Sequence, residues 1–262
     1  MPMRTVTVDD VQLRCDHLLR PGTPALLLIN SLGASLEAWD DQLPLADRFE
    51  LIRYDARGHG KSELGANTEL TVDRLARDAL AVLDACGVAR AHVCGLSMGG
   101  ITAMHIACHW PDRVLKLVLA NTAPYLGPKD RWQALIDVAL AQGMEALVEQ
   151  VLERWFTPDF RATQPDRVER VRQMLLATDK RGYAACCAAL RDMDQRESIK
   201  SIVAQTLVIG GTKDPSTPPE HSDLIANSIP GARLLMLESA HLSNIERTAQ
   251  FNAALLEFFG AA

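Results

Sequence analysis

Seven apolar runs of strand length punctuate the chain: "VQLRC", "ALLLIN", "FELIRYD", "AHVCGL", "VLKLVLAN", "QTLVIGG" and "ARLLMLES". Helix-length segments separate most of the later ones. In "TVDRLARDALAVLDACG", Val72, Leu75, Ala76, Ala79, Leu80, Val82 and Leu83 make one apolar stripe, and Gly87 supplies the stop. Strands alternating with helices predict an α/β fold, a mostly parallel sheet with helices on both faces. The first runs lie closer together and are richer in turn residues, which predicts an antiparallel start.

This rhythm breaks over residues 123–202. There the apolar spacing is helical: Trp132, Leu135, Ile136 and Ala139 in one segment, then Met144, Leu147, Val148, Val151, Leu152 and Trp155 in another. The expected organisation is a core domain of residues 1–122 and 203–262, with 123–202 as a helical cap. With 262 residues, 48% of them hydrophobic, the chain can bury one large core that carries such a lid.

Charge and hydropathy argue against some partners. The net charge of -6 comes with no basic block, so nucleic acid is not expected. No apolar run approaches the ~20 residues of a membrane span. The N-terminus has no apolar signal core, and the six cysteines form no CxxC pair and no Cys/His ligand pattern. These features predict a cytoplasmic protein with reduced thiols and no metal site. A homo-oligomer is left open.

"GLSMG" around Ser97 carries the chemistry. A serine at neutral pH needs exposure, a base, and donors for an oxyanion before it can act as a nucleophile. A tight strand-to-helix turn supplies the exposure, and Gly95 and Gly99 leave room for the backbones that pass close by. Met98 then falls at a helix N-terminus, where its N–H is free to donate. Chance yields GxSxG only about 0.1 times in a chain of this size.

The acid and the histidine should follow in that order. Asp214, in "QTLVIGGTKDPSTPP", ends a strand at the carboxyl edge of the sheet, where ligands bind. His241 follows the strand of "ARLLMLES"; His221, early in a helix, reads as an exposed helical histidine. A second oxyanion donor is expected from the loop after "ALLLI", at the N–H of Leu32, with Gly33 forming the turn. Asp55, Arg57 and His59 read as groups that fix their own loop.

With these residues in place, the chain resembles the α/β-hydrolase superfamily along nearly its whole length, "YDARGHGKS" included. Within it, "INSLGASLEAWDDQL", "CGLSMGG", "LANTA", "ERWFTPDF", "GYAACCAALRDMD" and "AHLSNIE" resemble the 3-oxoadipate enol-lactonases, hydrolases of aromatic catabolism. "NSLG" and "RWFT" discriminate, because other esterases usually carry a His-Gly oxyanion loop. The resemblance implies the triad Ser97–Asp214–His241, a helical cap, and no cofactor. It also implies a site in the cap for the carboxylate of an anionic lactone, involving Trp155.

The family pattern has an arginine shortly after the tryptophan that Trp132 matches. Here Arg131 precedes Trp132, so Arg131 becomes the expected anchor, with Lys129 and Arg154 as alternatives. Helical spacing turns Arg154 away from the stripe that contains Trp155. The competing reading of Trp132 and Trp155 is cap-to-core packing. The expected reaction is acyl transfer from an enol-lactone through Ser97 to water. A broader carboxylesterase or lactonase, or a carbon–carbon bond hydrolase, would share the triad and differ in the cap. A ligand-binding protein on the same fold would turn over no ester.

Overall fold

The structure, a computed structural model, describes residues 4–260; the ends of the expected core segments lie outside these. One sheet of eight strands runs through the molecule in the order β1-β2-β4-β3-β5-β6-β7-β8. Its strands are β1 (Arg4–Val8), β2 (Val11–Leu18), β3 (Ala25–Ile29), β4 (Glu50–Tyr54), β5 (Ala91–Leu96), β6 (Val114–Ala120), β7 (Gln205–Gly211) and β8 (Arg233–Leu237). β1 pairs β2 and β2 pairs β4 antiparallel, whereas every pairing from β4 onward is parallel. The antiparallel start is as expected from the spacing. β1 was not: its Thr5–Val6–Thr7–Val8 alternation buries only the valines, so it carries no continuous apolar run.

Central strands such as β3 and β5 are buried along their full length, as strands covered on both faces must be. The covering helices are α1 (Val72–Ala85) and α2 (Met98–His109), then α8 (Pro219–Ser228), α9 (Ser243–Glu246) and α10 (Thr248–Phe259) after the last parallel crossovers. α1 shows why its sequence is helical. Thr71 caps it by accepting from the N–H of Arg74, its apolar stripe is buried, and Gly87 turns the chain away at a φ of 74°.

Between β6 and β7 the chain leaves the sheet. It forms α3 (Lys129–Gln142), α4 (Val148–Trp155), α5 (Pro158–Thr163), α6 (Pro165–Leu176) and α7 (Lys180–Asp192). α3 and α7 pack on one another, and α4 packs on α6. Among the described residues, no helix is long and apolar enough to cross a membrane. All six cysteines are free thiols. Among the described residues, no cluster of three or more His, Cys, Asp or Glu side chains is placed to hold a metal ion.

Candidate active site

The site is built from loops at the carboxyl edge of β3, β5, β7 and β8. Ser97 joins β5 to α2 with φ 57° and ψ −116°, a strained conformation for a residue with a side chain. Two glycines make that turn possible. A Cβ on Gly95 would lie 2.1 Å from the Gly99 carbonyl oxygen, and one on Gly99 would lie 2.0 Å from that of Ile29. Ser97 is further held by its N–H to Ala120 O (2.9 Å) and by Thr122 Oγ1 donating to its carbonyl (2.7 Å).

His241 lies after β8, buried, with Nε2 2.8 Å from Ser97 Oγ and Nδ1 2.8 Å from Asp214 Oδ2. Asp214, after β7, is also buried and accepts five hydrogen bonds. Oδ1 takes the N–H groups of Ser216 (2.8 Å) and Thr217 (3.1 Å). Oδ2 takes His241, Asn121 Nδ2 (3.0 Å) and Thr217 Oγ1 (2.8 Å). Burial pushes this carboxyl up, but His241, Asn121 and Thr217 outweigh it and hold the group below the usual carboxylate range. An ionised Asp214 only accepts, so Nδ1 of His241 carries the proton and Nε2 is left to accept from the Ser97 hydroxyl.

Two backbone N–H groups next to Ser97 have no acceptor among the described residues. The N–H of Ala34 donates to Ser31 O (3.2 Å), closing a turn that has Gly33 at φ 78°. Among the described residues, no protein acceptor takes the N–H of Leu32 or that of Met98, the first residue of α2. Such a preorganised pair can stabilise charge that develops on a carbonyl oxygen.

A cavity of about 670 Å³, its mouth included, opens above Ser97. Core loops supply Ser31, Leu32, Ser97, Thr217 and His241 to its wall; α3, α4 and α7 supply Arg131, Trp132, Trp155 and Tyr183. Trp132 and Trp155 therefore both line the cavity and are buried. The Trp132 indole also donates to Leu126 O at 2.5 Å. Arg131 is exposed on the cavity wall and, among the described residues, makes no ion pair. Lys129 instead pairs with Asp192 at 3.0 Å.

Arg154 corrects the helical-spacing reading. It lines the cavity with Gln150, Val151 and Trp155, because α4 borders two surfaces. Val148, Leu152 and Trp155 face the core, while the adjacent face 150–151–154–155 looks onto the cavity. Asn121 and Thr217, both bound to Asp214, are site residues that periodicity could not find. "LANTA" was the only local signal for Asn121. His221, expected to be exposed, is instead half-buried in the first turn of α8, and it does not line the cavity. In the loop after β4, Asp55 accepts from Leu36 N (2.7 Å) and Lys61 N (2.9 Å), Arg57 pairs bidentately with Asp78, and His59 Nδ1 bonds Arg57 O. All three fix their own surroundings.

A strand-turn-helix serine, a buried carboxylate–imidazole pair and two free N–H donors over such a sheet define an α/β hydrolase. The chain belongs to that family: residues 24–248 match its model, described as alpha/beta hydrolase fold. It is 36% identical over 252 residues to 3-oxoadipate enol-lactonase 2 of Acinetobacter baylyi, covering 96% of this chain and 94% of that protein. Its fold is similar to the crystal structure of the enol-lactonase from Burkholderia xenovorans, at a TM-score of 0.95 and 36% identity, over 99% of this chain and 100% of that one. A hydrolase from Pseudomonas aeruginosa is 42% identical, at a TM-score of 0.95 over 98% of each chain.

Proposed function

We propose that this hydrolase opens 3-oxoadipate enol-lactone to 3-oxoadipate with Ser97, His241 and Asp214 as its catalytic triad. The observation that carries the reading is the unbroken line from Asp214 Oδ2 through His241 to Ser97 Oγ, two contacts of 2.8 Å, beneath a cavity whose wall holds Arg131, which makes no ion pair among the described residues. Similarity to two enol-lactonases supports the substrate.

In this reading His241 Nε2 takes the Ser97 proton as Oγ attacks the lactone carbonyl, and Asp214 stabilises the imidazolium. The N–H groups of Leu32 and Met98 hold the oxyanion. Collapse breaks the ring C–O bond, and His241 returns the proton as the ring opens. The leaving group is an enol, better than an alkoxide, and becomes the ketone. His241 then activates water, which releases the diacid and restores Ser97. No metal or organic cofactor takes part. Residues 123–202 act as the substrate-binding cap, with Trp132 and Trp155 packing the lactone and Arg131 meeting its carboxylate.

The test compares the acidic enol-lactone with a neutral lactone and p-nitrophenyl acetate. Native enzyme should prefer the acidic substrate, and Ser97→Ala should abolish turnover of all three with the fold intact. Arg131→Met should lower the acidic-to-neutral ratio of kcat/KM by about tenfold, the worth of one charge-assisted contact. If Arg154→Met lowers it and Arg131→Met does not, the anchor is Arg154. A native ratio near one would remove the carboxylate site and favour a general esterase.

A further inference from the structure

The Ser31 side chain opens onto the cavity, and among the described residues its hydroxyl has no partner. The residue is 3% exposed, lies between Asn30 and Leu32 in the loop after β3, and lines the cavity together with Leu32, Ser97 and His241. Its carbonyl closes the Ala34 turn, but among the described residues its Oγ makes no hydrogen bond. Nearby hydroxyls behave differently. Ser35 Oγ donates to Glu37, Thr122 Oγ1 to the Ser97 carbonyl, and Ser243 Oγ to Asn121. The Ser31 hydroxyl, with no protein partner among the described residues and a place on the cavity wall, is free to donate to whatever binds beside Ser97.

We propose that the Ser31 hydroxyl is a third oxyanion donor, acting beside the N–H of Leu32. The proposal rests on the assignment of Ser97 as nucleophile. When Ser97 Oγ bonds to the carbonyl carbon, the π pair moves to the carbonyl oxygen, and Ser31 O–H donates to that oxygen without giving up its proton. The charge returns to the C=O bond as the ring C–O bond breaks. Unlike a backbone N–H, the hydroxyl is free to rotate about χ1 and follow the oxygen as it becomes tetrahedral. Ser31 is thereby a catalytic residue set by sequence, in a loop whose other donors are backbone groups.

The experiment uses Ser31→Ala and Ser31→Thr in the full chain, with kcat and KM measured on p-nitrophenyl acetate and on the enol-lactone. Affinity for an aryl trifluoromethyl ketone, which forms a tetrahedral oxyanion adduct with the nucleophile, is the independent readout. Ser31→Ala should lower kcat about 10²-fold on both substrates at nearly constant KM. It should weaken the ketone in parallel and leave the thermal midpoint unchanged. Ser31→Thr, which keeps a hydroxyl, should recover part of the loss. A Ser31→Ala kcat within about twofold of native on the aryl ester would overturn the proposal. So would an effect confined to KM of the acidic substrate, which would make Ser31 a carboxylate contact. If native enzyme hydrolyses the aryl ester but not the enol-lactone, the substrate assignment alone fails, and the ester and the ketone still decide Ser31.

Discussion

Asn121 holds the acid and histidine loops together through one amide. Its backbone sits at φ 43°, a region that asparagine tolerates better than most residues. From there Nδ2 donates to Asp214 Oδ2 (3.0 Å) and to Ala240 O (3.2 Å), while Oδ1 accepts from Ser243 Oγ (2.5 Å). Asn121→Ala should lower kcat about tenfold by freeing one charge-assisted contact on Asp214. Asp214→Asn should cost far more, about 10⁴-fold, because the imidazole loses the partner that fixes its tautomer. Steady-state kcat for both variants on an aryl ester checks the order; equal losses would mean that Asn121 also sets the position of His241 outright. Ser97, Asp214 and His241 were legible in the sequence because each follows a strand and they occur in one order. Asn121, Thr217 and Arg154 were not. Their neighbours are brought in by sheet order and cap packing, which no local pattern records.

Elements meet at the junction of α4 with the histidine loop. Glu246, buried in α9, accepts from Ala240 N (3.0 Å), directly before His241, and from Thr157 N (3.4 Å) and Thr157 Oγ1, just beyond α4. Leu242 N adds a bond to Trp155 O at 3.1 Å. One carboxylate therefore ties the end of a cavity-lining helix to the loop that carries His241. Glu246→Ala leaves these donors unpaired in the interior, and should lower unfolding free energy by roughly 2–4 kcal/mol. Urea titration measures that loss. A fall in kcat on the folded variant would report displacement of His241; a stability loss with kcat unchanged would confine Glu246 to packing. Helices α1, α3 and α4 could be read from their apolar spacing. The 3-10 segment Leu36–Asp47 could not, since its Pro44 and its turn-like hydrogen bonds leave no regular period. Strand order was equally out of reach, because runs of buried aliphatics on β3, β5 and β6 are interchangeable until the chain connections place them.

The whole molecule carries an acid sensitivity built into two buried histidines. His59, in the loop after β4, has Nδ1 3.1 Å from the Arg57 carbonyl, which can only accept, so Nδ1 holds the proton. Its Nε2 is buried and, among the described residues, has no partner, so it is the unprotonated ring nitrogen. Burial, opposed by the Arg57 carbonyl and by the charge of Asp179, pushes its pKa down from 6.5 to about 4. His92, stacked on Phe259 at 4.5 Å, is likewise pushed down to about 4 by burial and then by Lys116. A folded value below the unfolded one means that the unfolded chain takes up the proton first as pH falls. Each histidine's contribution is thus complete above about pH 6.5, declines by about 1.4 kcal/mol per pH unit below it, and levels off near pH 4, where the folded state is protonated too. His59→Gln, which can still donate to the Arg57 carbonyl, should lose its share of that slope. Urea unfolding at pH 7.5 and at pH 5 makes the comparison. The native protein should lose roughly 2 kcal/mol more than the variant over that interval. Equal losses would mean that His59 is protonated in the folded protein well above pH 4, and that its Nε2 finds a partner on protonation.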